Sequence, residues 1–416
     1  MKVLIVGKGG REHALAWKVK ESNLVQEVFI APGNVGMENI GTIVNIQDNE
    51  ILKLADFAQG TKIDLTIVGP ESSLALGIVD EFEKRGLKIF GPSKYAAQIE
   101  SSKEFAKKLM KKYNVPTGDY ESFNDLQSSL KYIGDKVPPI VIKEDGLKAG
   151  KGVTVAFTKE EAVSALEDAF STKNNKVVIE EYLDGFEFSI IALANGESVI
   201  PLEIAQDHKR IYDNDLGPNT GGMGVYSPVD KIDKEIVNET VEKVLKPMLK
   251  GMKDDGFPFK GFLFGGIMLT SEGVKTIEFN VRFGDPEAEG ILPRLKSDLV
   301  KAILDIMDNK INELEWDKRY ALAVVMASEN YPYSSTIGEV INIPLELDSI
   351  VFHMGTKKEN GVLKTNGGRV LSVVAYGDTL EQAKYNAYED VKKIKCKKLI
   401  YRNDIGDKMC YNNENL

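Results

Sequence analysis

The sequence predicts an α/β and α+β protein in three parts: an N-terminal doubly wound parallel α/β domain over 1–101, a larger mixed domain over 102–310, and a small C-terminal mixed β/α domain over 311–416. Three observations predict it. Apolar strand-like runs alternate with amphipathic helices at the start of the chain, the pattern of a parallel sheet covered on both faces. Apolar runs joined by short turns, one of them through Asn195-Gly196, mark antiparallel pairing in the middle. Beyond about residue 311 the strands shorten, with Asn360-Gly361 and Asn366-Gly367-Gly368 as turns.

In order, "KVLIVGKGGREHALAWKVKES" reads as a buried strand, a glycine turn and a helix. "EVFIAPGN" and "IDLTIVGPE" are further strands, "LALGIVDEFEKRG" is a helix, and "LKIFGPS" is the next strand. A helix over 102–113 stops before Pro116. Residues 139–200 read as strand, loop, strand, helix, strand, turn and strand. Residues 206–228 show no periodic pattern and read as one long polar loop, a length that in compact domains points to function. A helix over 234–255 leads to the strands "FLFGGIMLT" and "VKTIEFNVRF". "YALAVVMAS", "VFHMGT", "VLKT" and "RVLSVVAYG" are short strands, and "TLEQAKYNAYEDVKKI" is the last helix.

Composition narrows the class. A chain of 416 residues exceeds one ordinary core, and 43% apolar with 28% charged residues suits a soluble globular protein. No apolar run reaches bilayer length, and "MKVLIV" is too short for a secretion leader. The two cysteines, Cys396 and Cys410, lack metal-like spacing, which suits a reducing cytoplasm. A net charge of −10 argues against nucleic-acid and membrane partners. Of 53 basic residues only eight are Arg, so an Arg within a glycine-rich motif is a candidate for planar anion recognition. Arg11, Arg210, Arg282 and Arg369 qualify; Arg85 and Arg319 read as surface charge.

Several segments carry chemistry. "GKGGREH" opens a helix after a strand, where backbone N–H groups attract anions. A dinucleotide fingerprint would need Gly at position 12, where Glu12 stands, and an acidic residue ending the next strand, which instead ends "APGN". That break counts against a nicotinamide-dependent oxidoreductase and favours a sugar phosphate held by Gly9, Gly10 and Arg11. "APGN", with Gly33 and Asn34, and "VGPE", with Pro70 and Glu71, end neighbouring strands and would share that crevice. "GLKAGKGV" fails as a Walker loop on spacing and because Gly152 stands where a hydroxyl should meet Mg²⁺. Lys143 ends the apolar run "PPIVIK", placed to reach a nucleotide phosphate, and the loop with Gly150 and Gly152 would fold over it. In "VVIEEYLDGFEFS", Glu180 and the following backbone suit an adenine edge and Glu187 suits ribose hydroxyls. In "TIEFNVRFGDPE", strand alternation puts Ile277, Phe279, Val281 and Phe283 on a core face and Glu278, Asn280 and Arg282 on the other. Carboxylate and amide oxygens are hard donors suited to Mg²⁺, and Arg282 can clamp a carboxylate. Asp207, Asn219 and Thr220, in the polar segment, are candidate substrate contacts; His208 receives no role.

Taken together and in this order, these stretches, "GPNTGGMG" and "EFNVRFGDPE" above all, resemble the ATP-grasp ligases and, within them, the phosphoribosylamine–glycine ligases. The resemblance implies an ATP-grasp domain of two subdomains over 102–310, its small nucleotide-binding lid at about 116–190. It implies ATP with Lys103 and Lys143 on the phosphates, adenosine on Glu180, Glu187 and the backbone of Glu181, Tyr182 and Leu183, and Mg²⁺ or Mn²⁺ on Glu278 and Asn280. It implies ligation of glycine to 5-phosphoribosylamine through glycyl phosphate, with Arg282 and Lys143 catalytic, by a cytoplasmic monomer or weak dimer. Another ATP-grasp carboxylate–amine ligase, or a non-catalytic nucleotide-binding protein, is the alternative. Glu144 and Lys148 depart from the small residues usual in that loop.

Overall fold

The computed structural model describes residues 1–148, 152–172 and 175–407. Strands Lys2–Gly7, Glu27–Pro32, Thr42–Ile43, Leu65–Val68 and Ile89–Phe90 form a parallel sheet in which the first strand lies between the second and the fourth. Val3 to Val6 are fully buried, as a strand covered on both faces requires. The order reverses beside Lys2–Gly7, so the ligand crevice of this sheet opens at Gly7 and Val68. Helix Gly10–Lys20 starts there. The helix expected over residues 74–86 is broken: Glu71–Leu76 and Ile78–Lys84 meet at Gly77, whose φ is +93°.

Helix Lys103–Lys112 is capped by Ser102, whose Oγ accepts from Phe105 N–H at 3.2 Å. Next comes a small sheet with its own core. Its strands run in the order Tyr120–Phe123, Val177–Glu181, Ile140–Glu144, Val153–Ala156, all antiparallel, beneath helices Leu126–Gly134 and Lys159–Phe170. A second antiparallel sheet orders Ser198–Pro201, Phe186–Asn195, Lys260–Thr270 and Gly273–Asn280, and Asn195-Gly196 is its first turn. The two sheets meet where Thr117 bridges Thr276 and Thr117 Oγ1 donates to the Thr276 carbonyl at 2.6 Å.

Two expectations change. Residues 206–228 are not one loop but four short strands, Gln206–Asp207, Arg210–Tyr212, Leu216–Asn219 and Gly224–Ser227. Gly224–Ser227 joins Tyr320–Ser328, Arg369–Gly377 and Ile350–His353 in one sheet, so the segment is built into the C-terminal strands. Strands of two to four residues in polar sequence carry too little alternation to read. The second change is in "TIEFNVRF". The strand ends at Asn280, and a β-bulge separates the Gly266–Glu278 pair from the Ile267–Thr276 pair. Ile277 is the extra residue, so it leaves the core face, and its carbonyl is free to accept from Lys143.

Gly222 shows how tightly this region packs. Its φ is +111°, and a Cβ there would stand 2.4 Å from Pro286 Cδ. Gly222→Ala is expected to destabilise the chain by about 2 kcal/mol or more. Urea unfolding checks it; an unchanged midpoint would mean that Pro286 yields.

Candidate active site

Two charged clusters converge on the strand end 278–282. The first is cationic. Lys143 is the penultimate residue of Ile140–Glu144, and its Nζ donates to the Ile277 carbonyl at 3.0 Å and pairs with Glu180 at 3.0 Å. Glu180 also takes Lys107 at 2.7 Å, and its Oε1 is buried with no hydrogen-bond partner among the described residues. Lys103 sits at the start of its helix because Asp145 caps its N–H at 2.6 Å; its Nζ donates to the Gly146 carbonyl at 2.9 Å. Burial first, then Lys143, lowers the Lys103 pKa. Lys209 pairs with Glu187, and its neighbours Glu187, Asp207 and Glu278 raise its pKa against burial.

Glu278 faces these lysines. Burial pushes its pKa up, but Lys209, Lys143, the Asn280 amide and Lys103 outweigh that, and the pKa is lowered. Asn280 Nδ2 donates to Glu278 Oε1 at 3.3 Å, and Arg282 Nη2 donates to Asn280 Oδ1 at 3.3 Å. Both bonds are long, so neither fixes the amide firmly. A partly buried carboxylate held ionised by lysines, next to an amide oxygen, fits a divalent cation shared with phosphates. Among the described residues no group of three or more His, Cys, Asp or Glu gathers as a metal site.

The second cluster shares guanidinium groups among carboxylates. Arg282 Nε lies 3.3 Å from Glu71, and its Nη2 lies 2.9 Å from Glu100. Arg11 lies 2.6 Å from Glu12 and 3.7 Å from Glu71, and donates to the Phe283 carbonyl at 3.3 Å. Burial pushes Glu71 up, yet Arg282, Arg11 and its place in a first helical turn hold it down at about 2. Burial raises Glu100 to about 7; facing Glu71 adds to this, and Arg282, the Val281 N–H it accepts at 2.7 Å and Arg11 only partly oppose it.

The other expected site residues lie as follows. Gly9 N–H donates to Glu12 Oε2 at 2.6 Å, so both Gly9 and Arg11 are already committed to a carboxylate, contrary to the simple anion cradle expected of them. Gly10 begins the helix. Gly33 N–H donates to the Gly7 carbonyl at 3.1 Å, joining two strand ends. The Asn34 amide is spent on Lys8, His353 and Gly36, which tie the first sheet to the C-terminal strands; nothing brings it to either cluster. Pro70 precedes the helix that Glu71 opens. Glu181 N–H donates to the Asp119 carbonyl at 2.8 Å, the Tyr182 ring lies 6.0 Å from Phe157, and Leu183 packs near Gly118. Gly152 abuts Lys148, which pairs with Glu144 at 2.7 Å; the two departures from the usual loop thus neutralise each other. Gly150 lies outside the described residues. Asp207 pairs with Val225 in the sheet. Thr220 Oγ1 donates to the Lys209 carbonyl at 2.9 Å, and Asn219 Nδ2 reaches the Val153 carbonyl of the small sheet at 3.4 Å.

Models of phosphoribosylglycinamide synthetase match the chain in three pieces: the N domain over 1–100, the ATP-grasp (A) domain over 101–288 and the C domain over 321–408. The chain belongs to the phosphoribosylglycinamide synthetase family. A phosphoribosylamine–glycine ligase of Lactococcus lactis is 52% identical, covering 98% of this chain and 100% of that one. One from Halalkalibacterium halodurans is 49% identical over 98% of this chain and 97% of its own. The crystal structure of the Thermotoga maritima phosphoribosylamine–glycine ligase superposes with a TM-score of 0.86 at 34% identity, covering 98% of this chain and 100% of that one.

In this synthetase-family chain, sequence reasoning missed Lys209, Lys107, Glu100 and Asp145. Each acts through a partner distant in the chain, and no local pattern flags them. Glu100 gives a pH test. The folded chain keeps its proton up to about pH 7, whereas an unperturbed carboxyl releases it near 4.5. The folded state therefore binds more protons across that window, so stability falls as pH rises from about 4.5 to about 7 and is flat above it. A loss of about 3 kcal/mol is expected in wild type and none of it in Glu100→Gln. Urea unfolding at each pH measures it; parallel curves for the two proteins would refute the assignment.

Proposed function

We propose that this chain joins glycine to 5-phosphoribosylamine, with ATP becoming ADP and phosphate, in purine biosynthesis. Membership of the synthetase family and the relatives' names support the reaction. The observation that carries the assignment to these residues is Glu278, a partly buried carboxylate whose pKa is lowered by Lys209, Lys143 and Lys103 against desolvation.

In this reading ATP lies between the small sheet and the strand Gly273–Asn280. Lys103 and Lys143 neutralise its phosphates. Glu180, whose buried Oε1 has no hydrogen-bond partner among the described residues, Glu187 and the backbone of 181–183 hold adenosine, and the loop with Gly152 covers the phosphates. Glu278 and Asn280 would hold Mg²⁺ or Mn²⁺, which would supply positive charge beside the phosphates. The Arg282 guanidinium orients the glycine carboxylate, with Asp207, Asn219 and Thr220 lining that side. A carboxylate oxygen of glycine attacks the γ-phosphorus and ADP leaves, giving glycyl phosphate. The sugar amine then attacks the acyl carbon, a proton leaves the nitrogen, and phosphate departs. Little covalent work falls to side chains; positioning and charge neutralisation dominate. The sugar phosphate enters the crevice at Gly9, Gly10, Gly33, Asn34 and Pro70, where Arg11 acts by fixing Glu12 and Glu71. The units 1–101, 102–310 with a lid at about 116–190, and 311–416 are the proposed working parts. Two cysteines and a net charge of −10 support a cytoplasmic setting without nucleic-acid or membrane partners; among the described residues no helix is long and apolar enough to cross a membrane.

ADP release, assayed with glycine and phosphoribosylamine together and with each omitted, tests the proposal. Release is expected only with both. Release that ignores phosphoribosylamine, or nucleotide binding without turnover, would reject it.

A further inference from the structure

Glu289 takes no part in either cluster. It lies on the short helix Glu287–Ile291, is fully buried, and neither carboxyl oxygen has a hydrogen-bond partner among the described residues. Such a side chain is rare, because its oxygens have given up water without replacement. It is aimed at a particular place: a Cβ built on Gly10 would come within 2.2 Å of Glu289 Oε1. Gly10 is the first residue of the helix Gly10–Lys20, at the mouth of the parallel sheet's crevice.

The surroundings decide what fits. Asp285 Oδ2 lies 3.4 Å from the Cβ position of Gly9, and Glu12 already accepts the Gly9 N–H at 2.6 Å. The nearby cations are both engaged, Arg11 by Glu12 at 2.6 Å and Arg369 by Asp285 at 3.0 Å. Burial first, then Asp285, pushes the Glu289 carboxyl well above the usual range against the pull of Arg369 and Arg11. A neutral carboxyl carries one O–H donor and one carbonyl acceptor. A rim of carboxyls repels phosphate, whereas a hydroxyl, which both donates and accepts, matches it.

We propose that Glu289 reads the ribose hydroxyls of the pentose phosphate substrate, above Gly10. The phosphate itself then lies away from these carboxyls, and glycine at position 10 makes room for the Glu289 carboxyl, with Met354 Cγ 2.9 Å from the same Cβ position. The proposal rests on the ligase reading given above.

Calorimetric titration of the full chain with D-ribose 5-phosphate and its 2-deoxy and 3-deoxy analogues tests it. Wild type is expected to bind the parent sugar about tenfold more tightly than at least one analogue, the size of one hydrogen bond. Glu289→Ala is expected to lose that preference. Glu289→Gln, which keeps a donor and an acceptor, retains it, and ADP affinity stays constant throughout. A preference that survives Glu289→Ala, or wild type that binds all three sugars alike, overturns the proposal while leaving the ligase reading intact. Should Glu289→Ala not fold, the wild-type series and Glu289→Gln decide, and loss of the preference in Glu289→Gln overturns it. Wild type that binds ADP but none of the sugars overturns both.

Discussion

Glu278→Ala is expected to lower metal-dependent ADP release by roughly 10³-fold or more while leaving the fold standing. The reasoning starts from charge. The lowered pKa of Glu278 depends jointly on Lys209, Lys143 and Lys103, so it is a negative centre of the cationic cluster. Removing it takes away a hard oxygen donor exactly where phosphates and their cation would meet. Stability should move far less, because each lysine keeps another partner. Lys209 retains Glu187, Lys143 retains Glu180 and the Ile277 carbonyl, and Lys103 retains the Gly146 carbonyl. A partly buried carboxylate also gains little net stability from its pairs, since desolvation offsets attraction. Glu278→Gln preserves shape and should be nearly as inactive, which separates charge from packing. Steady-state ADP release at saturating divalent cation, together with thermal unfolding, measures both effects. Wild-type turnover in Glu278→Ala would remove Glu278 from the metal site.

How much of this was legible depends on how far each contact reaches along the chain. The parallel sheet was legible because its strands are apolar runs ending in glycine turns, a local pattern. Glu278, Asn280 and Arg282 were legible as a row because alternation holds from 278 onward. The bulge at Ile277 was not, since it depends on the register against Lys260–Thr270. The strands within 206–228 escaped because each is short and polar, and Gly224–Ser227 finds its partner about a hundred residues away in Tyr320–Ser328. Choosing arginines by glycine-rich context gave a mixed result. Arg11 and Arg282 lie in the second cluster, but Arg369 clamps the carbonyls of Gly221 and Asp285, and Arg210 holds that of Gly217. Arg294 and Arg402, almost fully buried, were passed over because their partners, among them Glu203 and Asp215, are distant in sequence. Lys209 and Lys107 were indistinguishable from a lysine-rich surface for the same reason.

Arg282→Ala is the second large effect: kcat/KM for glycine is expected to fall roughly 10²- to 10³-fold, with the glycine KM rising more than the ATP KM. The guanidinium reaches Glu71 through Nε at 3.3 Å and Glu100 through Nη2 at 2.9 Å, while the same Nη2 donates to Asn280 at 3.3 Å. It therefore places a cation beside the proposed metal ligands and adds a long, weak hydrogen bond to the amide of one of them. Lysine cannot occupy these directions at once, so Arg282→Lys should recover little. The substitution has a second signature. Glu100 already holds its proton to about pH 7, and Arg282 is the largest influence keeping that value from rising further. Without Arg282, burial and Glu71 act on Glu100 with less opposition, and the pH window over which stability falls should extend above 7. Glu71 keeps Arg11 and should stay ionised. Steady-state kinetics with glycine varied at fixed ATP, alongside urea unfolding from pH 5 to 9, reads both signatures. An unchanged glycine KM and kcat would take Arg282 out of substrate binding, and an unmoved stability profile would break the link to Glu100.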